Sequence, residues 1–153
     1  MSKLDLIYSK LKHLDFKKSQ TPIDEKIVIS YQDEVGILFP EDFYEYLLNF
    51  GRLNFDGQDF YGITANKNGG LPDLISATKI YREDYLINKF MIPIVSTGYG
   101  GLYVIDTSIK NEKNESPVVI VEYPIDDDFE KEIITNNFYD FLLESLDSAI
   151  EKQ

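Results

Sequence analysis

No cysteine and no tryptophan occur among the 153 residues, and there is one histidine, His13. The absence of thiols excludes disulfides, Cys-ligated zinc, iron–sulfur centres and cysteine nucleophiles, and it suits a reducing compartment. One imidazole cannot make a two-His metal site, and any Ser-His-Asp relay would have to be built on it. His13 lies among Lys10, Lys12 and Lys17 and reads as a surface residue without a role. Basic residues are scarce as well: 15 Lys+Arg stand against 27 Asp+Glu, a net charge of −12. Nucleic-acid binders must offset phosphate charge, so nucleic acid is a disfavoured partner, and so is an anionic membrane. The electrostatic complement is a cationic protein surface. Long apolar runs are missing too. No stretch approaches the roughly 20 apolar residues of a membrane span, and charges interrupt the opening MSKLDLIYSK where a secretory signal needs an apolar run. The expectation is a cytoplasmic protein.

What is present suffices for one domain over residues 1–153. Hydrophobic residues make up 43% of the chain, and a chain of this length buries enough surface to fold without staples. The charge is uneven: residues 1–20 hold five Lys and two acids, whereas residues 122–153 hold ten acids against Lys131 and Lys152.

Leu4, Ile7, Leu11 and Leu14 form an apolar stripe at helical spacing. Thr21-Pro22-Ile23-Asp24 reads as a helix start, with Thr21 as cap, Ile27, Tyr31 and Val35 one turn apart, and Gly36 as stop. The β-branched run Ile27-Val28-Ile29 also admits a strand there. Pro40 opens a third helix carrying Phe43, Leu47 and Phe50 on one face before Gly51. Arg52–Phe55 and Asp59–Ile63 flank the turn signal Asp56-Gly57 as a β-hairpin. Helical spacing returns over 73–86 through Leu74, Ala77, Thr78, Tyr81 and Tyr85. Met91–Ser96 and Leu102–Asp106 read as two strands about a glycine turn, and Pro117–Tyr123 as a central strand. Phe138, Phe141, Leu142, Leu146, Ala149 and Ile150 mark a closing amphipathic helix. The class is α+β. Helices at the N-terminus, one inserted helix and a C-terminal helix pack on a mixed, mainly antiparallel sheet of about five or six strands.

Chemical motifs are weak. Gly98-Tyr99-Gly100-Gly101 precedes a strand, not the helix a phosphate cradle requires, and lacks Gly-Lys-Ser/Thr, so it reads as a tight turn with Tyr99 at its tip. Asp126-Asp127-Asp128 lacks the alternating spacing of a calcium loop and reads first as a solvated loop and second as a partner contact. No pair of carboxylates is singled out for hydrolysis, no metal or other cofactor is expected, and the chain is not read as an enzyme. Tyr and Phe number 21, and rings set among carboxylates suit a cation-rich protein interface, where charge steers and rings anchor. The expected partner-binding residues are Asp56, Asp59, Tyr61, Tyr99, Tyr103, Asp126, Asp127 and Asp128.

Phe39-Pro40-Glu41-Asp42-Phe43-Tyr44-Glu45-Tyr46-Leu47-Leu48, ending in Phe50-Gly51 and followed by Phe60-Tyr61-Gly62-Ile63, resembles the signature of the SUKH superfamily. Ile92-Pro93-Ile94, the turn Gly98 to Gly101 and the strand to Asp106 are similar to its later strands, and Phe138–Leu142 to its terminal helix. The resemblance covers residues 21–150, with Phe39 in place of the usual Leu and Phe50-Gly51 in place of Asn-Gly. It implies an immunity protein that neutralises a cognate polymorphic toxin encoded beside it, a basic nuclease domain of an LXG toxin. The alternative is a regulatory protein-interaction scaffold. The family's motifs are fold motifs and carry no catalytic residues.

Overall fold

The computed structural model describes residues 1–122 and 132–153. Among the described residues there are five helices and seven strands. Helix α1 (Lys3–Leu11) starts in a reciprocal capping box: the Ser2 hydroxyl accepts from Asp5 N–H and the Asp5 carboxylate accepts from Ser2 N–H. Ile7 and Leu11 are buried, and Leu4 and Leu14 pack beside them, as the stripe predicts. A short strand, β1 (Phe16–Lys18), follows, its side chains all exposed.

Helix α2 (Glu25–Val35) begins later than expected. Asp24, not Thr21, is the cap and accepts from Ile27 N–H at 3.0 Å. Val28, Tyr31 and Val35 form the buried stripe, so the β-branched run is helical. Gly36 ends the helix at φ +79, a left-handed conformation that glycine adopts without steric cost. Helix α3 (Glu41–Phe50) follows Pro40 and buries Phe43, Tyr46, Leu47 and Phe50. Phe39, in place of the usual Leu, is buried edge-on to Phe43, with ring centroids 5.3 Å apart.

Strands β2 (Leu53–Phe55) and β3 (Gln58–Asp59) form a hairpin about the expected turn, in the register Asn54↔Asp59 and Phe55↔Gln58. β3 ends at Asp59, where a strand over Asp59–Ile63 is expected, because the N–H groups of Tyr61, Gly62 and Ile63 donate to Ile94, Pro72 and Gly51 instead. Asp56 and Gly57 both have positive φ, +52 and +71, as the favoured two-residue hairpin turn requires. Helix α4 (Leu74–Glu83) ends before Tyr85, which has φ +58 and is 84% exposed, so the expected 73–86 helix is shorter.

The strands divide between two antiparallel sheets: β1-β2-β3, and β4 (Met91–Ser96), β5 (Gly101–Asp106), β6 (Val118–Glu122) and β7 (Glu132–Thr135) in that order. The α+β class stands as expected, but β1 and β7 are additional and one sheet has become two. They abut where Tyr61 N–H donates to Ile94 O at 2.8 Å. β6 lies between β5 and β7, the interior position its apolar run predicts. Helix α5 (Phe138–Glu151), capped by Asn137 through Asp140 N–H, supplies Phe138, Phe141, Leu142 and Leu146 to the same hydrophobic core.

Phe43→Ala is expected to cost about 3–5 kcal/mol and Leu47→Ala about 2–5 kcal/mol, because both are fully buried. Pro40→Ala is expected to cost less than about 1 kcal/mol, since the ring mainly restricts the unfolded chain. Urea midpoints check the ranking; equal, small shifts at all three positions contradict it.

Candidate partner-binding surface

The β4–β5 turn carries an exposed ring. Gly98 and Gly100 adopt φ +83 and +90, and the Thr97 hydroxyl oxygen accepts from the N–H groups of Tyr99 and Gly101, each at 3.1 Å. Between the two glycines, Tyr99 is 97% exposed. Tyr103, on β5, is partly exposed and packs on Phe141 with centroids 4.8 Å apart.

On the β2–β3 hairpin, Asp56 Oδ2 is 3.2 Å from Lys152 Nζ, and Asp59 Oδ1 is 3.1 Å from Arg52 Nη1. Asn54 Nδ2 also donates to Asp59 Oδ1. Both carboxylates are exposed, but each already has a cation beside it. Rings link this hairpin to Tyr103: Phe55 stacks on Phe60, Phe60 meets Phe141, and Phe141 carries Tyr103.

Tyr61 does not belong to that surface. It is 3% exposed, and its hydroxyl is 2.6 Å from that of Tyr81. Burial and that hydrogen bond raise its pKa above the ordinary tyrosine value. A contact role was expected because the residue is aromatic within an alternating strand; the ring instead points inward at the junction of the two sheets. Asp126, Asp127 and Asp128 lie outside the described residues.

A second feature escaped the sequence reading. The α2–α3 loop, the start of α3, the start of α5 and residues 110–115 enclose a groove of about 850 Å³. Asp42 builds its wall. One carboxylate oxygen accepts from Phe43 N–H at 2.7 Å in α3, and the other accepts from Tyr139 N–H at 3.1 Å in α5. Two helix N-termini therefore share one anion, each with free N–H groups and a positive end. The Tyr139 hydroxyl donates to Glu45 Oε1 at 2.7 Å, and Asn137 Nδ2 donates to Glu115 Oε2 at 2.9 Å. The sequence marked Asp42 only as an acid in a first helical turn; nothing local reveals its partner 97 residues away.

Burial, the largest influence, raises the Asp42 pKa, although the N–H groups of Tyr139, Phe43 and Phe138 lower it. Among the described residues, no cluster of His, Cys, Asp or Glu is placed to hold a metal ion. No helix among them is long and apolar enough to cross a membrane. Exposed rings and carboxylates on fixed backbone can bind and orient another macromolecule.

The family model described as SMI1-KNR4 cell-wall, SUKH_5, matches residues 6–147, and the chain belongs to this family of the SUKH superfamily. Its members are generally immunity proteins rather than enzymes, and membership supports an immunity-like role with a cognate toxin as partner. No curated protein matches the chain.

Asp42→Asn is expected to destabilise by about 1–3 kcal/mol at pH 7, because it turns an amide NH₂ toward a backbone N–H. A folded pKa above the unfolded value contributes stability below the unfolded pKa and loses it as pH rises through the folded pKa. The advantage of wild type over Asp42→Asn should therefore widen as pH falls toward about 4. Urea midpoints of both proteins across that range measure it; an advantage that shrinks on acidification contradicts the direction.

Proposed function

We propose that this chain is a cytoplasmic immunity protein that binds the C-terminal nuclease domain of an LXG toxin encoded beside it and covers that domain's basic face. The observation that carries this reading is family membership joined to a net charge of −12. A nuclease must attract phosphate, so the surface around its active site is basic, and an acidic protein meets it at steered rates. Charge gives speed but little selectivity, which has to come from shape and a few anchors. Tyr99 is the anchor proposed on the described surface, flanked in function by Tyr103, Asp56 and Asp59. The acids Asp126, Asp127 and Asp128 are proposed as steering groups. No catalytic step is required of the immunity protein.

Association with the toxin domain should slow steeply between about 50 and 500 mM salt while dissociation changes little. Lys at Asp126, Asp127 and Asp128 should slow association more than Lys at Asp5 or Asp15, which lie in the basic first segment. Tyr99→Ala should act mainly on dissociation, by more than about 1 kcal/mol. Stopped-flow kinetics with the adjacent toxin domain test all three. An association rate insensitive to salt contradicts the steering mechanism.

A further inference from the structure

The loop between α2 and α3 holds a large aliphatic side chain in water. Leu38 is 80% exposed, while its neighbours Ile37 and Phe39 are buried. Gly36 closes α2 on one side, and on the other Phe39 N–H donates to Gln32 Oε1 at 2.9 Å. With both neighbours anchored, the backbone cannot turn Leu38 inward without exposing two core residues. An apolar group fixed outward in this way loses little conformational entropy when a partner covers it. It lines the 850 Å³ groove, as does the exposed Ile29.

The charges of that groove are unevenly compensated. Glu41, Asp42, Glu45 and Glu115 line it, and none makes an ion pair with a described residue. The cations along it are Lys3, Lys110 and Lys113, of which Lys3 is 2.8 Å from Asp140. The carboxylates that remain are met by neutral donors: backbone N–H groups at Asp42, the Tyr139 hydroxyl at Glu45 and the Asn137 amide at Glu115. Neutral donors leave the negative charge in place for an incoming cation, and a low-dielectric wall strengthens the attraction.

We propose that the Leu38 groove is a second docking element for the toxin domain, receiving a basic segment whose apolar residue packs on Leu38 and Ile29 while an Arg or Lys reaches the carboxylates. This inference rests on the immunity reading and adds to it the face that is covered. It differs from the tyrosine hairpin in mechanism, because the apolar knob should govern dissociation and the carboxylates association.

The test uses the full chain and the C-terminal domain of the adjacent toxin, with three variants: Leu38→Lys, Glu41→Lys and Glu151→Lys, the charge-matched control for Glu41→Lys, exposed at the end of α5. Thermal unfolding should place all three near wild type, since each site is exposed. Leu38→Lys should raise the dissociation rate by roughly tenfold or more. Glu41→Lys should slow association by more than Glu151→Lys does. If wild type binds but Leu38→Lys and Glu41→Lys match Glu151→Lys in both rates, the groove is not part of the interface and the inference is overturned while the immunity reading stands. If wild type does not bind the toxin domain at all, both are overturned.

Discussion

Four consecutive residues, Phe60 to Ile63, tie the two sheets to helices α3 and α4. Their N–H groups donate in turn to Leu53 O in β2, Ile94 O in β4, Pro72 O before α4 and Gly51 O at the end of α3, at 2.8–3.1 Å. Gly62 O accepts from Leu74 N–H at 2.7 Å, and the Ser19 hydroxyl donates to Ile63 O. The segment is buried, so each donor left unpaired would cost the desolvation of an amide. This crossing tolerates no side chain at its centre: a Cβ on Gly62 would lie 2.0 Å from Gly51 O. The aromatic-Gly part of the signature is thus a steric requirement for backbones that nearly touch. Beside it, Asp73 is fully buried, caps α4 through Ile75 and Ser76 N–H, and accepts from the hydroxyls of Tyr31 and Thr64.

A frame fixed in this way can hold its surface groups without help from the partner. Tyr99 is presented by two left-handed glycines and the Thr97 hydroxyl, and Leu38 by two buried neighbours. The Asp42 carboxylate joins the starts of α3 and α5, so the opening of the family signature also shapes the 850 Å³ groove. The motifs that identify the family build the scaffold and also carry most of the proposed contacts: Tyr99 lies in the Gly98–Gly101 turn and Glu41, Asp42 and Glu45 in the helix opening, with Leu38 just before it.

The legibility of each part in the sequence follows the range of the forces involved. Helical stripes such as Phe43, Leu47 and Phe50, and turns such as Asp56-Gly57, depend on local periodicity and backbone preference, and they are where the pattern puts them. β1 is three exposed residues without alternation, and β7 is a four-residue strand with adjacent isoleucines, so neither has a periodic signal. Thr21 was a reasonable cap by residue type, but Asp24 is the residue whose carboxylate reaches the first free N–H groups of α2. Tyr61 shows the limit for sites: alternation suggests a strand over Asp59–Ile63, but β3 ends at Asp59 and Tyr61 lies buried beyond it, its N–H donating to Ile94 O in the other sheet. Leu38 and Asp42 are legible only once the chain is folded, one through its neighbours' burial and the other through a bond to α5.

Neutralisation of the toxin encoded beside this protein is the role proposed for it. Co-expression of that toxin's C-terminal domain with and without this chain, scoring growth, tests the claim most directly. Growth arrest by the toxin domain alone and recovery with this chain is the predicted result. Arrest that persists when both proteins accumulate in folded form would contradict it.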